Sequence, residues 1–294
     1  MFVITGATGN IGGAIAKELI AKGEKVKAVV RNAEKAKKLL PGAELAVGDI
    51  HNVKFLTDAF KGATAVFAMV PPQPTAKDAV AHINEVAGEL VAAIKAAGVK
   101  KVIALSSVGA HLTEKNGVVK GLHLFEEKLK TLTGVDVLIL RPSFFMENLF
   151  SNIPVIKNMG VNGSTVKKDL AMPMVATKDI AHRATEHFLA LDFKGIQIEY
   201  LLGPKDVTYS EVTQILGKAI SKPELPYVEF KYEDAEKAMM GAGLSESYAK
   251  GLVELQKSMN EGILIPAGIR TKESSTPTSI EEFAKTFVQV YNQN

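Results

Sequence analysis

The sequence predicts an α/β protein with a doubly wound parallel sheet, followed by a smaller mixed α/β lobe. Two observations carry this prediction. Short runs of β-branched and aromatic residues alternate with amphipathic helical patterns over the first half of the chain, and a glycine-rich turn joins the first strand to the first helix. Such an alternation winds through right-handed crossovers into a parallel sheet with helices on both faces.

The first strand and the turn after it are the most informative stretch. Phe2 to Thr5 is a short apolar run, and Gly6-x-x-Gly9-x-x-Gly12 follows it. A glycine-rich turn before a helix leaves backbone N–H groups open to a pyrophosphate: the first glycine permits the turn, the second the close approach and the third the packing of helix on strand. The pattern predicts dinucleotide binding by the turn, with contacts from Gly6, Thr8, Gly9, Asn10, Ile11 and Gly12.

The end of the second strand, Lys25 to Val30, indicates which dinucleotide binds. An acidic residue at this position contacts the ribose 2′-hydroxyl of NAD, whereas an arginine accommodates the 2′-phosphate of NADP. The sequence has Arg31 here, with Lys35 one helical turn later and no acid at the strand end. We therefore predict that NADPH is preferred over NADH; the alternative is a solvated basic patch.

The next elements complete the predicted sheet. Strands are expected at 43–47, 63–70, 101–105 and 135–140, with amphipathic helices at about 80–94 and 122–132 between them. Ligands on such sheets bind beyond the carboxyl ends of the strands. The predicted contacts on this rim are Asp49, Ile50, Met69, Val70, Pro71, Ser106, His123, Pro142, Ser143 and Phe144.

The regular alternation stops after Arg141. A helix is expected at 177–191 and a strand at 197–202, and the capping-box spacing Thr208-x-x-Glu211 precedes a further helix. We place a nucleotide-binding domain at residues 1–150 and a lobe that supplies the substrate pocket at residues 151–294. Elements at about 175–202 are expected to return to the sheet of the first domain.

The composition is that of a globular protein and limits its partners. Hydrophobic residues make up 47% and charged residues 23% of the 294 residues, and the net charge is only +3. This balance gives no electrostatic reason to expect nucleic acid or an anionic membrane as a partner. Cysteine is absent, no apolar run approaches a membrane span, and no signal peptide is recognised at the N-terminus. We expect a cytoplasmic monomer or homodimer that binds a small molecule, and no metal site.

The motifs together resemble the NmrA-like branch of the atypical short-chain dehydrogenase/reductases, nearly from end to end. The matching stretches are Thr5-Gly-Ala-Thr-Gly-Asn-Ile-Gly12, Val30-Arg-Asn32, Gly48-Asp49, Leu140-Arg-Pro-Ser-Phe-Phe-Met-Glu-Asn148, Pro173-Met-Val-Ala-Thr-Lys-Asp-Ile-Ala181 and Thr276-Pro-Thr-Ser-Ile-Glu-Glu-Phe283. The resemblance implies a Rossmann-type sheet with NADP(H) across its rim and residues 142–144 near the nicotinamide. It does not fix the reaction, because this family includes quinone and phenylpropanoid-type reductases as well as regulators that only sense the cofactor.

Typical short-chain dehydrogenases donate a proton from a tyrosine whose pKa is lowered by a lysine one helical turn later. All six tyrosines of this chain lie at Tyr200 or later, so none falls on the expected helix. The string Tyr227-x-x-x-Lys231 follows Pro226 in a segment that we predict to be extended, where residues four apart are about 13 Å from each other. We therefore do not assign it to catalysis.

Counting back from Arg141, His123 falls near the position of the missing lysine, and Glu127 lies one turn further on the same helix. A carboxylate-oriented imidazole is suited to proton transfer near neutral pH, so His123, Glu127 and the strand-end Ser106 are the candidate catalytic residues. The alternative for His123 is a partly buried histidine with a local partner, and strand-end serines are common in turns.

Two functions follow from these residues. The first is an NADPH-dependent oxidoreductase for a small quinone-like or other conjugated carbonyl substrate, and the second is a redox sensor that binds NADP(H) without turnover. An apolar pocket for a planar substrate would come from Phe144, Phe145, Met146, Met172 and Met174, although core packing explains these side chains equally well.

Overall fold

The computed structural model describes residues 1–293. In this range the strands are β1 (Phe2–Ile4), β2 (Val26–Val30), β3 (Glu44–Val47), β4 (Ala65–Ala68), β5 (Lys101–Leu105), β6 (Asp136–Pro142), β7 (Phe144–Phe145), β8 (Asn162–Ser164), β9 (Met172–Val175), β10 (Ile196–Leu201), β11 (Asp206–Val207) and β12 (Tyr227–Glu229). The α-helices are α1 (Asn10–Ala21), α2 (Ala33–Leu39), α3 (Val53–Phe60), α4 (Ala79–Ala97), α5 (Lys120–Lys130), α6 (Ile153–Met159), α7 (Thr177–Ala190), α8 (Tyr209–Ala219), α9 (Tyr232–Gly241), α10 (Glu246–Asn260) and α11 (Ile280–Gln293). Two 3₁₀ segments, Gly117–Val119 and Met146–Asn152, precede α5 and α6.

The main sheet has seven strands in the order β10-β6-β5-β4-β1-β2-β3, and all of its neighbours are parallel. The chain therefore winds outward in both directions from β1, which confirms the predicted doubly wound fold. The winding reverses between β1 and β4, and in such sheets a crevice opens at this point beyond the carboxyl ends of the strands.

Both faces of the sheet are covered by helices, which is why its strands are apolar on both sides. One face packs against α1 and α7 through side chains such as Ile15, Leu19 and Phe188, and the other packs against α3, α4 and α5 through Phe60 and Leu90. These side chains are fully buried. Burying one of them contributes about 1.5–3 kcal/mol relative to leaving it exposed.

Residues 177–201 return to the main sheet, where β10 pairs in parallel with β6 at one edge. The Arg183 Nε of α7 donates to Glu199 of β10 at 2.5 Å, and the His187 Nε2 lies 2.7 Å from the other oxygen of the same carboxylate. These ion pairs fix α7 on the edge strand. The division of the chain into domains at residue 150 stays a prediction.

The second part of the chain forms a lobe over the carboxyl end of the sheet. Its small sheets are β11-β9-β7 and β12-β8, and a separate apolar core joins them to α6, α8 and α11. The helix α10 is anchored to the first part, because the Ala79 N–H donates to Ser247 Oγ at 3.0 Å and the Ser245 N–H donates to Pro74 O at 2.9 Å. The lobe thus closes over the rim on which the predicted ligand contacts lie.

Two further expectations concern single segments. Tyr227 lies in β12, as predicted for an extended segment, and its hydroxyl donates to Val166 O at 2.6 Å. The Thr208–Glu211 capping box at the start of α8 is present with both of its hydrogen bonds. Over residues 1–293, no helix is both long enough and apolar enough to cross a membrane.

Candidate functional site

The glycine turn takes the conformation that its residues predict. Gly6 has a positive φ of 62°, and the Gly9 N–H donates back to Gly6 O at 2.9 Å. A Cβ atom on Gly12 would lie 2.5 Å from Gly6 O, so only glycine lets α1 pack this closely on the turn. The N-cap of α1 is Gly9, which has no side chain to accept from the first N–H groups. Those groups are left for a ligand at the positive end of the helix.

A crevice of about 630 Å³ runs along this turn at the reversal point between β1 and β4. Residues from the carboxyl ends of four strands line it together with the turn. Of the predicted cofactor contacts, it brings together Gly6, Thr8, Gly9, Asn10, Ile11, Gly12, Arg31, Asp49, Ile50, Met69 and Pro71.

Arg31 is placed to meet a charged ligand at one end of this crevice. It is exposed, and its side chain has no hydrogen-bond or ion-pair partner within residues 1–293. Asn32 begins α2 by accepting from the Lys35 N–H at 2.9 Å, which holds the backbone beside Arg31. The Lys35 side chain is exposed and is not among the residues that line the crevice, so its predicted cofactor contact stays a prediction.

Two histidines that the sequence analysis did not select also line the crevice. The rings of His51 and His82 lie 5.3 Å apart, and His51 Nδ1 is 3.0 Å from Glu89 Oε2. Burial raises the pKa of Glu89. The ligand atoms of His51, Glu85 and Glu89 lie within 4.8 Å of one another, close enough to share a cation. Exposed acidic groups are often found close together without a bound metal ion, and the expectation of no metal site stays a prediction.

A second cavity, of about 270 Å³, opens beside the first. The two share Met69, Pro72, Leu105, Phe145 and Asn148, so they adjoin at the carboxyl end of β5. The predicted contacts Val70, Ser106, Ser143 and Phe144 line this second cavity rather than the crevice. Pro142 is buried at the end of β6 and lines neither of them.

The lining of the second cavity is mainly apolar. Side chains of the rim meet others from α10 and the segment after it, among them Leu255, Met259 and Leu264. Phe144, Phe145 and Met172 line the cavity as the pocket hypothesis expects. Met146 and Met174 do not line it, because both are about 1% exposed in the core of the lobe.

Ser106 is held by a buried polar network at the edge of this cavity. Its hydroxyl donates to Glu126 Oε1 at 2.5 Å, and the Arg141 Nε and Nη2 donate to the two oxygens of the same carboxylate at 2.9 and 2.5 Å. The Arg141 Nη1 donates to the Tyr200 hydroxyl at 2.8 Å. Glu126 is fully buried, and a carboxylate in such a place needs these charged and polar partners.

His123 and Glu127 do not form the predicted hydrogen bond with each other within residues 1–293, and their assignment to catalysis stays a prediction. His123 Nδ1 lies 2.9 Å from Ala110 O, which can only accept, so this nitrogen carries the proton. Glu127 is exposed and accepts from Lys130 at 2.7 Å, and this hydrogen bond lowers the pKa of Glu127. The prediction assumed that His123 and Glu127, one turn apart on α5, pair with each other.

His123 itself lines neither cavity, whereas Val119 and Leu122 line the second one. Because His123 lies outside both cavities, we expect His123→Ala to change turnover by less than about threefold. Loss of a general acid would instead lower turnover by about 10²–10⁴-fold. Steady-state rates of NADPH oxidation for the native protein and for His123→Ala test this. A loss of about 100-fold or more, with unchanged NADPH affinity, would restore His123 as the proton donor.

A sequence profile described as the NmrA-like family matches residues 1–284. The chain belongs to the NmrA-like family. This confirms the resemblance seen in the motifs.

One curated relative and two solved structures of the same fold are similar to this chain. The NAD(P)H azoreductase of Xenophilus azovorans is 28% identical over 263 residues, which cover 87% of this chain and 86% of the azoreductase. The NADPH-dependent quinone oxidoreductase of Escherichia coli, solved with NADPH, has a TM-score of 0.82 at 23% identity and covers 98% and 99% of the two chains. NmrA, a negative transcriptional regulator solved with NADP, has a TM-score of 0.71 at 16% identity over 98% and 91%.

Proposed function

We propose that this protein is an NADPH-dependent oxidoreductase that reduces a small quinone-like or other conjugated carbonyl compound. The observation that carries the proposal is the adjacency of two unlike cavities. A crevice with a glycine turn and a free arginine lies next to an apolar cavity, and Met69, Leu105 and Phe145 line both. A cofactor lying in the first would present its reactive ring to a substrate in the second.

The relatives confirm the predicted enzyme class, because the curated ones that align over most of the chain include an NAD(P)H azoreductase and a quinone oxidoreductase. Two solved structures of the same fold hold NADPH and NADP, which supports NADP(H) as the cofactor, and the preference for NADPH over NADH stays a prediction. The substrate class is our proposal, and the apolar, aromatic lining of the second cavity supports it.

The residues of this chain fit NADPH. The glycine turn leaves space for the pyrophosphate, and a Cβ atom at residue 9 would narrow that space. The Arg31 side chain has no partner within residues 1–293, so no other residue competes with a 2′-phosphate for it. NADPH, when bound, supplies a hydride. The chain contributes an apolar cavity beside the reacting atoms that would orient a planar acceptor against Phe144 and Phe145.

A redox sensor without turnover is the second candidate. The missing tyrosine–lysine pair favours it, and so does the fold that the chain shares with the regulator NmrA. A sensor needs the crevice only. The formed apolar cavity next to the crevice favours the enzyme.

The two candidates differ in turnover. We expect purified protein to oxidise NADPH, followed at 340 nm, in the presence of at least one member of a panel of benzoquinones, naphthoquinones and conjugated enones, and to do so more slowly with NADH at equal concentration. Product analysis should show one mole of reduced acceptor per mole of NADPH. If NADPH binds tightly and no member of the panel is reduced, the oxidoreductase proposal fails and the sensor stands.

A further inference from the structure

The second cavity contains a buried hydroxyl without a partner. Ser143 is 3% exposed, lines the cavity, and its Oγ makes no hydrogen bond within residues 1–293. Buried hydroxyls are almost always paired, because burying one without a partner costs free energy. An unpaired hydroxyl in the lining of a cavity therefore indicates that a bound ligand forms the missing hydrogen bond.

The backbone around Ser143 is fixed from two sides. The Ser143 N–H donates to Leu201 O at 2.9 Å, and the Val108 N–H donates to Pro142 O at 3.0 Å. These bonds continue the pairing of the main sheet beyond the ends of its strands. Ser143 is thus held in position by the rigid ends of strands. Groups that must contact a reacting atom are usually placed on such rigid elements.

The other polar groups of the cavity differ from Ser143. The proton of Ser106 is committed to Glu126, so toward the cavity Ser106 can only accept. Ser107 is half-buried and Asn148 is exposed, so both can be satisfied by water. Within this lining, Ser143 is the buried hydroxyl whose proton is free to be donated to a ligand.

We propose that the Ser143 hydroxyl donates a hydrogen bond to the carbonyl oxygen of the substrate, the task that a tyrosine performs in typical short-chain dehydrogenases. This rests on the proposed function. When bound, NADPH would supply the hydride that adds to the conjugated carbon and would become NADP⁺, and the electron pair displaced from the π system would move to the carbonyl oxygen. Ser143 stabilises the negative charge there and keeps its own proton, and water supplies the proton that completes the product.

Ser106 has a complementary place in this arrangement. With its proton held by Glu126, it can accept from an N–H or O–H of the bound molecules, and two hydrogen bonds from Arg141 hold the Glu126 carboxylate in place. Glu126 and Arg141 are positioning residues, since neither lines either cavity. The site therefore combines one donor, Ser143, with one acceptor, Ser106.

The test compares Ser143→Ala with the native protein. Removing a donor to a developing oxyanion costs about 10²–10³-fold in kcat in other enzymes, and we expect a loss of about 10²-fold here with unchanged NADPH affinity. Ser143→Thr, which keeps the hydroxyl, should retain most of the rate. Ser210→Ala, at a serine of α8 outside both cavities, is the matched control and should behave as the native protein.

A second readout does not depend on turnover. With acetophenone bound to the NADP⁺ complex, which holds no hydride, the carbonyl stretch in the infrared should lie lower in the native protein and in Ser143→Thr than in Ser143→Ala. An identical stretch and an undiminished kcat in Ser143→Ala would overturn the assignment. A weakened NADPH affinity with normal kcat would overturn it too, since Ser143 would then serve the cofactor. If the native protein reduces nothing in the panel, the proposed function fails, while the infrared comparison still tests the hydrogen bond.

Discussion

Gly9→Val is expected to abolish NADPH binding while leaving the protein folded. Residue 9 has φ −91° and ψ 178°, which a valine can adopt, and an added Cβ would meet only Gly6 O at 3.3 Å. The fold therefore loses little, but the branched side chain stands where the pyrophosphate must approach the backbone. Losing two charge-assisted hydrogen bonds, at about 1.5–3 kcal/mol each, weakens binding by more than about 100-fold.

Calorimetric titration with NADPH measures this loss, and the circular dichroism melting curve reports the fold. Gly88→Val is a matched control, because Gly88 lies on α4 with nothing within 4 Å of an added Cβ and lines neither cavity. It should bind NADPH like the native protein. Native affinity in a folded Gly9→Val protein would mean that the phosphates bind elsewhere.

Arg31→Asp is expected to remove or reverse the preference for NADPH over NADH. Arg31 lies at the end of β2 with a free guanidinium, and contacts of this charge with a 2′-phosphate are worth about 1.5–3 kcal/mol, or about 10–150-fold in affinity. The aspartate would repel the phosphate and could accept from the 2′-hydroxyl of NADH instead.

The test is to measure the dissociation constants of NADPH and NADH at fixed salt for the native protein and for Arg31→Asp. Their ratio shows whether Arg31 determines the cofactor preference. Lys38→Asp makes the same change of charge at an exposed position of α2 that does not line the crevice, and it should keep the native preference. Equal affinities of the native protein for NADPH and NADH would refute the assignment of Arg31. A similar loss of preference in Lys38→Asp would mean that the preference for NADPH comes from the general charge of this surface and not from Arg31.

The elements of the main sheet were predictable because their signals are local. The apolar run of each strand, the helical period between strands and the spacing of Gly6, Gly9 and Gly12 all lie within short stretches of sequence. Each strand of the seven-stranded sheet lies within a few residues of its predicted range, and the turn has the predicted close approach at Gly12. Backbone geometry at such a turn depends on the glycines themselves, so the sequence is sufficient.

Which polar side chains pair in the interior depends on distant contacts. Glu126 and Glu127 are adjacent and chemically identical, and the sequence pattern singled out Glu127, whereas Glu126 is the buried one. The buried member is determined by Arg141, fifteen residues away on β6, and by Ser106, which directly follows β5. Likewise, nothing in the local pattern of His51 or His82 shows that both line the crevice.

The sequence by itself therefore determined the fold class, the glycine turn, the family and the position of Arg31 at a strand end, because each follows from spacing along the chain. Only the tertiary structure decided which polar groups meet. It paired Ser106 with Glu126, turned His123 toward Ala110 O and left the Ser143 hydroxyl without a partner at the cavity wall. The physical reason is that a hydrogen bond depends on the distance and angle between two particular atoms, and these are set by how separate strands and helices pack.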